Sequence, residues 1–396
     1  MNQVLTVVAS VLALWAVVAG RLERWRITAP IIMVVAGAAM GITTKGSLGE
    51  TLNTEVALKA AEIILAILLF SDAAEVRGGL LGRERWSALR LLFVALPLSI
   101  GLAMLLGGWL LPGLAWSVLL VIACAVVPID FAPATAVVRD ARFPQRLRTL
   151  LNVESGYNDG IVSPIFLGAL VLAGGTKHGT SVAAALQAAL PATIKAVLVG
   201  LAVGVVLALL TNAGDRQDLM TEQSKRVAVV AAPILAFALS AGMHGNGFVA
   251  AFVCGIVYRS MRDEAALRRE LELLDDLGLL LTVAMWFVFG SVAVLVVTYD
   301  LNWRLIAFGA AVLTVVRVGP VLLSMLGSDF SWRDRLLVGW LGPRGTASIV
   351  FGLMAFNVLD GRAAETTLSV MVIVVLGSVI FHGAGSAVAT GVSRLR

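Results

Sequence analysis

The 396 residues are 59% hydrophobic and only 14% charged, with a formal net charge of +5. That balance excludes a soluble globular chain, because so few charges cannot cover an aqueous surface. The excess of Lys and Arg is read as cytoplasmic loop charge on a membrane protein, not as a nucleic-acid surface.

Apolar runs of about 17 to 28 residues alternate with short charged clusters, the length a helix needs to cross ~30 Å of hydrocarbon. Lipid-exposed loops and open sheets are excluded there, so the fold class is an all-α polytopic membrane protein. Thirteen transmembrane spans are predicted: roughly 3–20, 27–43, 53–73, 89–111, 114–138, 148–174, 182–211, 225–243, 246–258, 277–298, 302–327, 336–356 and 366–391. The first has no basic residue ahead of its apolar run, and it is read as a span rather than a cleaved signal peptide. Cys124 and Cys254 lie inside apolar runs, which argues against a disulfide or a zinc site. With no long hydrophilic segment, residues 1–396 read as one transmembrane domain without an appended soluble one.

Basic residues alternate between the two sides of this arrangement. One side collects 22 Lys and Arg, including Arg21, Arg85, Arg146, Lys225, Arg262 and Arg335, against Lys45, Lys59, Lys177, Arg304 and Arg362 on the other. The richer side is expected to be cytoplasmic, with the N-terminus outside and the C-terminus in the cytoplasm.

Two spans carry helix breakers at mid-membrane. The fifth contains Val127-Pro128-Ile129-Asp130-Phe131-Ala132-Pro133 and the twelfth Gly339-Trp340-Leu341-Gly342-Pro343-Arg344-Gly345. Proline removes a backbone donor and clashes with the preceding turn. The spans are seven apart, and an odd offset inverts orientation. An inverted repeat is therefore expected, roughly 1–174 onto 225–396, with 182–211 as the linking helix. Broken helices at matching places of two halves point to a transporter's binding site.

Ionisable side chains inside spans cost ~2.5–3.5 kcal/mol each on insertion scales and mark function. Here they are Glu62, Asp72, Asp130, Glu154, Asp159, Lys195, Arg317 and Arg344. At 3.6 residues per turn Glu154 stacks under Asn158 and Ser155 under Asp159, so one face of the sixth span offers an oxygen cage. Hard monovalent cations favour such oxygens, and carbonyls freed near Asp130 would add to them. Burial favours a protonated carboxylate and an adjacent cation the ionised one, so H⁺ and a cation compete at Asp159. Na⁺ is placed at Asp159, Asp130 and Ser155. Arg344 is expected to be a fixed counter-charge paired with Glu154. Asp72, Glu62 and Arg317 are supporting candidates, each equally readable as an ordinary bundle or snorkelling residue, and Lys195 is unassigned.

These residues resemble the monovalent cation/proton antiporters, in particular the electroneutral NhaP-type sodium/proton branch. Glu154-Ser155-x-x-Asn158-Asp159-Gly160, with its basic lead-in from Arg146, is similar to that family's signature. Gly339–Ser348 resembles its second motif, around a buried arginine, and His244–Gly255 a third. The resemblance implies an inner-membrane homodimer of thirteen-helix protomers, each with a six-helix core moving against a dimerisation domain. It also implies crossed broken helices, Asp159 as the exchanged carboxylate and, with Asn158 replacing a second aspartate, electroneutral exchange. The implied activity is Na⁺/H⁺ antiport serving pH homeostasis, with Li⁺ also accepted, without enzyme chemistry or cofactor. The family's Thr-Asp-Pro in the fifth span is here Ile129-Asp130-Phe131, which removes a hydroxyl and leaves K⁺/H⁺ exchange as the alternative. An organic-anion symporter on the same fold is a further alternative. Intramembrane proteases are disfavoured by the absence of His-Glu-x-x-His and Gly-x-Gly-Asp patterns.

Overall fold

The computed structural model describes residues 2–24, 28–44, 55–76, 81–82, 84–131, 144–174, 182–299 and 301–392. Among these, the structure is all helix and turn. The helices are α1 (Asn2–Arg24), α2 (Ala29–Thr44), α3 (Glu55–Glu75), α4 (Arg85–Leu110), α5 (Trp116–Val126), α6 (Gln145–Gly174) and α7 (Val182–Arg216). They continue as α8 (Glu222–Gly242), α9 (Gly247–Met261), α10 (Glu264–Tyr299), α11 (Trp303–Ser324), α12 (Trp332–Trp340), α13 (Thr346–Val358) and α14 (Gly361–Val392). Seven of them are long and apolar enough to cross a membrane, and five more apolar helices are shorter.

Local chemistry sets the ends and irregularities. Asn246 caps α9 by accepting from the Phe248 and Val249 amides at 3.0 and 3.2 Å, and Ser331 caps α12 by accepting from Asp334 N at 3.2 Å. A π turn at Leu91–Ala95 sits just ahead of Pro97, which has no N–H to offer the Phe93 carbonyl. Thr314, with φ −119° and ψ −89°, interrupts α11.

The twelfth predicted span is interrupted where its helix breakers lie: it is two helices, α12 and α13, separated at residues 341–345. One difference from the sequence expectation stands out. The helix predicted from 277 starts instead at Glu264, because Leu267, Leu271 and Leu274 bury one stripe of an amphipathic extension while Arg268 and Glu272 stay exposed. Hydropathy ends at the charges; the helix does not. The second half of the fifth span, with Ala132 and Pro133, lies outside the described residues.

Packing follows small residues. A Cβ on Gly37 would overlap the Phe287 carbonyl and one on Gly290 the Val34 carbonyl, so α2 and α10 cross at backbone contact. One apolar core joins α2 to α6 and α10 to α14; a second gathers α7, α8 and α9 with parts of α3 and α10. The outward face of α7 exposes Leu190, Ile194, Leu198 and Leu201. That surface is suited to lipid, not water.

Candidate ion site

The two breaks meet. After α5 ends at Val126, the chain bends out of the helix and continues without regular structure to Asp130, whose amide donates to the Pro343 carbonyl at 2.8 Å. Helix α13 starts at Thr346 with glycine at its cap position, so it has no side-chain cap of its own. Asp130 supplies one from the other break: its Oδ2 accepts from Thr346 N at 2.7 Å. The carboxylate thus sits where the partial positive end of a helix favours an anion. Space for it exists because residue 345 is glycine, whose Cβ would overlap the Asp130 carboxylate.

Arg344 does the converse. Its side chain is fully buried, and Nε donates to the Val126 carbonyl at 2.5 Å, a free acceptor at the C-terminal end of α5. A second nitrogen donates to the Gly342 carbonyl, and the Arg344 amide donates to Ser378 Oγ of α14 at 2.7 Å. Each break therefore receives a charge of the sign its helix end favours: an anion at the start of α13, a cation at the end of α5.

Helix α6 brings the third part. The Asn158 amide donates to the Ile129 carbonyl at 2.7 Å, tying α6 to the first break, and its Oδ1 accepts from Asp159 N at 2.6 Å. Both ends of Asn158 are thereby committed to structure. Gly156 lets α3 approach until a Cβ there would lie 2.9 Å from the Asp72 carbonyl, and Gly160 makes room for the Phe252 ring.

Asp72, Asp130 and Asp159 consequently line one cavity of about 40 Å³, together with Thr282, Thr346, Leu65, Leu68, Leu69 and Ala347. A volume above ~10–15 Å³ already admits a water molecule, so this one suits a small cation with a residual water. Asp159 is 3% exposed, yet among the described residues its carboxylate accepts no hydrogen bond. Asp72 is exposed, so the cavity opens along its side.

The expected Glu154–Arg344 pair is not what forms. Glu154, 4% exposed, is held by Arg317, 6% exposed: Nη1 contacts Oε1, and Nη2 contacts Oε2 at 2.9 Å. Arg317 Nη2 also donates to the Val338 carbonyl at 3.1 Å. The cause is the placement of α11, whose second segment after Thr314 puts Arg317 beside α6 and α12, while Arg344 is already occupied by backbone carbonyls. Fork-to-carboxylate pairing is the arrangement in which arginine replaces a carboxylate's hydration most fully.

Three further candidates do not reach the cavity. Glu62 accepts from Lys59 Nζ at 2.8 Å within α3, an i,i+3 pair at the helix surface. Ser155 is half-buried one turn before Asp159 but does not line the cavity. Lys195 is exposed and donates to the Met243 carbonyl at 3.2 Å, closing the end of α8. Conversely, Thr282 and Thr346 line the site without having been singled out from sequence. The signal for Thr346 was its place as the first residue after the Pro343-Arg344-Gly345 break; Thr282, a single hydroxyl in an apolar run, gave none.

A sodium/hydrogen exchanger transmembrane family model matches residues 7–389. The chain is 27% identical over 387 residues to a K⁺/H⁺ antiporter NhaP of Alkalimonas amylolytica, covering 95% of this chain and 64% of that protein. It is 25% identical over 330 residues to a Na⁺/H⁺ antiporter of Saccharomyces cerevisiae, covering 79% of this chain and 33% of the relative. The chain thus spans less than two thirds of the length of these relatives. Its fold matches that of the sodium proton antiporter MjNhaP1 from Methanocaldococcus jannaschii with a TM-score of 0.80 at 18% identity, covering 97% of both chains.

Proposed function

The chain belongs to the sodium/hydrogen exchanger family, and on that premise we propose that it is a secondary antiporter exchanging Na⁺ for H⁺ across the cell membrane at Asp159. The observation that carries this reading is the Asp159 carboxylate itself: buried, facing a cavity with two other carboxylates, and accepting no hydrogen bond among the described residues. A buried anion without a donor needs a proton or a cation. The two compete for the same oxygens, so Asp159 crosses with one or the other. Asp130, anchored to the start of α13, stays an acceptor on the opposite wall.

Exchange is one cation for one proton. Asn158 spends its amide on the Ile129 carbonyl and the Asp159 N–H, and an amide carries no proton to exchange. The Arg317–Glu154 pair is a neutral fixed element. The protein works as a homodimer of thirteen-crossing protomers with inverted repeats, the N-terminus outside, and the two crossed breaks as the pivot of alternating access.

K⁺/H⁺ exchange is the second reading. It is favoured by Ile129 at the position that would otherwise bring a hydroxyl, and by the K⁺/H⁺ antiporter name of the Alkalimonas relative. The deciding experiment reconstitutes the full chain in liposomes and challenges an imposed proton gradient with Na⁺, Li⁺ and K⁺ at several membrane potentials. Dissipation by Na⁺ at a rate independent of potential supports the first reading. Dissipation by K⁺ alone supports the second, and none by any of the three overturns both.

A further inference from the structure

We propose that the Thr346 hydroxyl is a cation ligand and sets which monovalent cation the site prefers. The inference rests on the antiport reading of Asp159 and deepens it.

Three observations converge on Thr346. It is 1% exposed and lines the cavity with Asp72, Asp130, Asp159 and Thr282. Its amide is used, donating to Asp130 Oδ2 at 2.7 Å, but its hydroxyl has no hydrogen-bond partner among the described residues. The hydroxyl is also unused by its own helix: the cap position is Gly345, and the cap bond at the start of α13 comes from the Asp130 carboxylate, not from the Thr346 side chain. Buried hydroxyls are almost always paired, so one left over at a polar cavity signals an absent partner.

Position 129 explains why the oxygen is needed there. The Ile129 side chain is 1% exposed and packs toward Gly342, where a Cβ would lie 3.1 Å from its Cγ2, and its carbonyl is taken by Asn158. Residue 129 does not line the cavity, so the first break offers it the Asp130 carboxylate and no side-chain oxygen from residue 129. Thr346, bonded through its amide to Asp130, is placed to add a neutral oxygen beside two carboxylates. Selectivity among alkali cations depends on the number and field strength of such oxygens. A hydroxyl held on the rigid start of α13 fixes that number without adding charge.

The test uses the full chain in liposomes, with Na⁺, Li⁺ and K⁺ titrated against an imposed proton gradient, for wild type, Thr346→Val, Thr346→Ser and Asp159→Asn. Valine keeps the shape and the amide while removing the oxygen; serine keeps the oxygen. Thr346→Val is expected to raise the KM of the preferred cation about five- to tenfold, the loss of one ligand contact, and to change the KM ratios among the three cations. Thr346→Ser should keep the wild-type ratios. A folded, monodisperse Thr346→Val protein with wild-type KM values and ratios overturns the ligand role, as does an equal loss in Thr346→Ser. Asp159→Asn separates the two claims: exchange retained there defeats the antiport reading, whereas exchange lost there with Thr346→Val unchanged defeats only this one.

Discussion

Arg317 and Glu154 stand 163 positions apart and meet fork to carboxylate in a site that leaves both almost wholly buried. Neither faces the cavity where Asp159 and Asp130 lie. The pair is a clamp between α11 and α6, and through the Val338 carbonyl it also holds the end of α12.

A buried pair is expensive to break from one side, because the survivor keeps its charge without a partner. Arg317→Gln and Glu154→Gln should each destabilise the protein by about 3–5 kcal/mol. The double variant should lose less than the sum of the two. Thermal unfolding in detergent measures this, and strict additivity would mean that the two side chains do not act as a pair.

Gly345→Ala tests the joint between the two breaks. The added methyl overlaps the Asp130 carboxylate and must push it off the Thr346 amide. Displacement of a site group by about 1 Å can cost on the order of 10²-fold in rate, so exchange should fall by that order while the protein remains inserted and dimensionally intact on gel filtration. Wild-type transport in Gly345→Ala would show that the Asp130 cap has no part in the site.

Outside the membrane spans, Arg146 donates to Glu84 at 2.6 and 3.0 Å and lies 4.7 Å over the Phe330 ring. The Arg146 hydrogen bonds hold the Glu84 carboxyl below its ordinary range. A lowered carboxylate pKa contributes stability that is complete above the unfolded value of ~4.3 and disappears as pH falls through the folded value. Because the pair is half exposed, the contribution is at most about 1 kcal/mol and weakens with salt. The Tm difference between wild type and Glu84→Gln should be constant from neutral pH down to about 5 and decline as pH falls below about 4.3 and through the lowered folded value. A difference that persists in strong acid would assign the effect to packing against Phe330.

Much of this site could be read from the chain because it is local in sequence. Pro128 and Pro343 announce breaks wherever the helices lie, and helical spacing alone stacks Glu154 under Asn158 and Ser155 under Asp159 on α6. What escaped depends on distance in the chain. Two intramembrane arginines were equally available to Glu154, and only the kink of α11 at Thr314 decides for Arg317. Glu62 has a partner three residues away in Lys59 and does not line the cavity. Thr346 and Thr282 are ordinary hydroxyls until the helices are assembled around them. The early start of α10 was hidden because its buried leucines are interleaved with charges.

In the proposed exchange one carboxylate carries both ions, and replacing Asp159 with asparagine removes the charge while keeping size and shape. With wild type and Asp159→Asn reconstituted at equal density, cation-driven dissipation of a proton gradient is the direct measurement. Robust exchange is expected in wild type and none in Asp159→Asn above protein-free liposomes, with both proteins folded and inserted. Exchange by Asp159→Asn at a substantial fraction of the wild-type rate would contradict it.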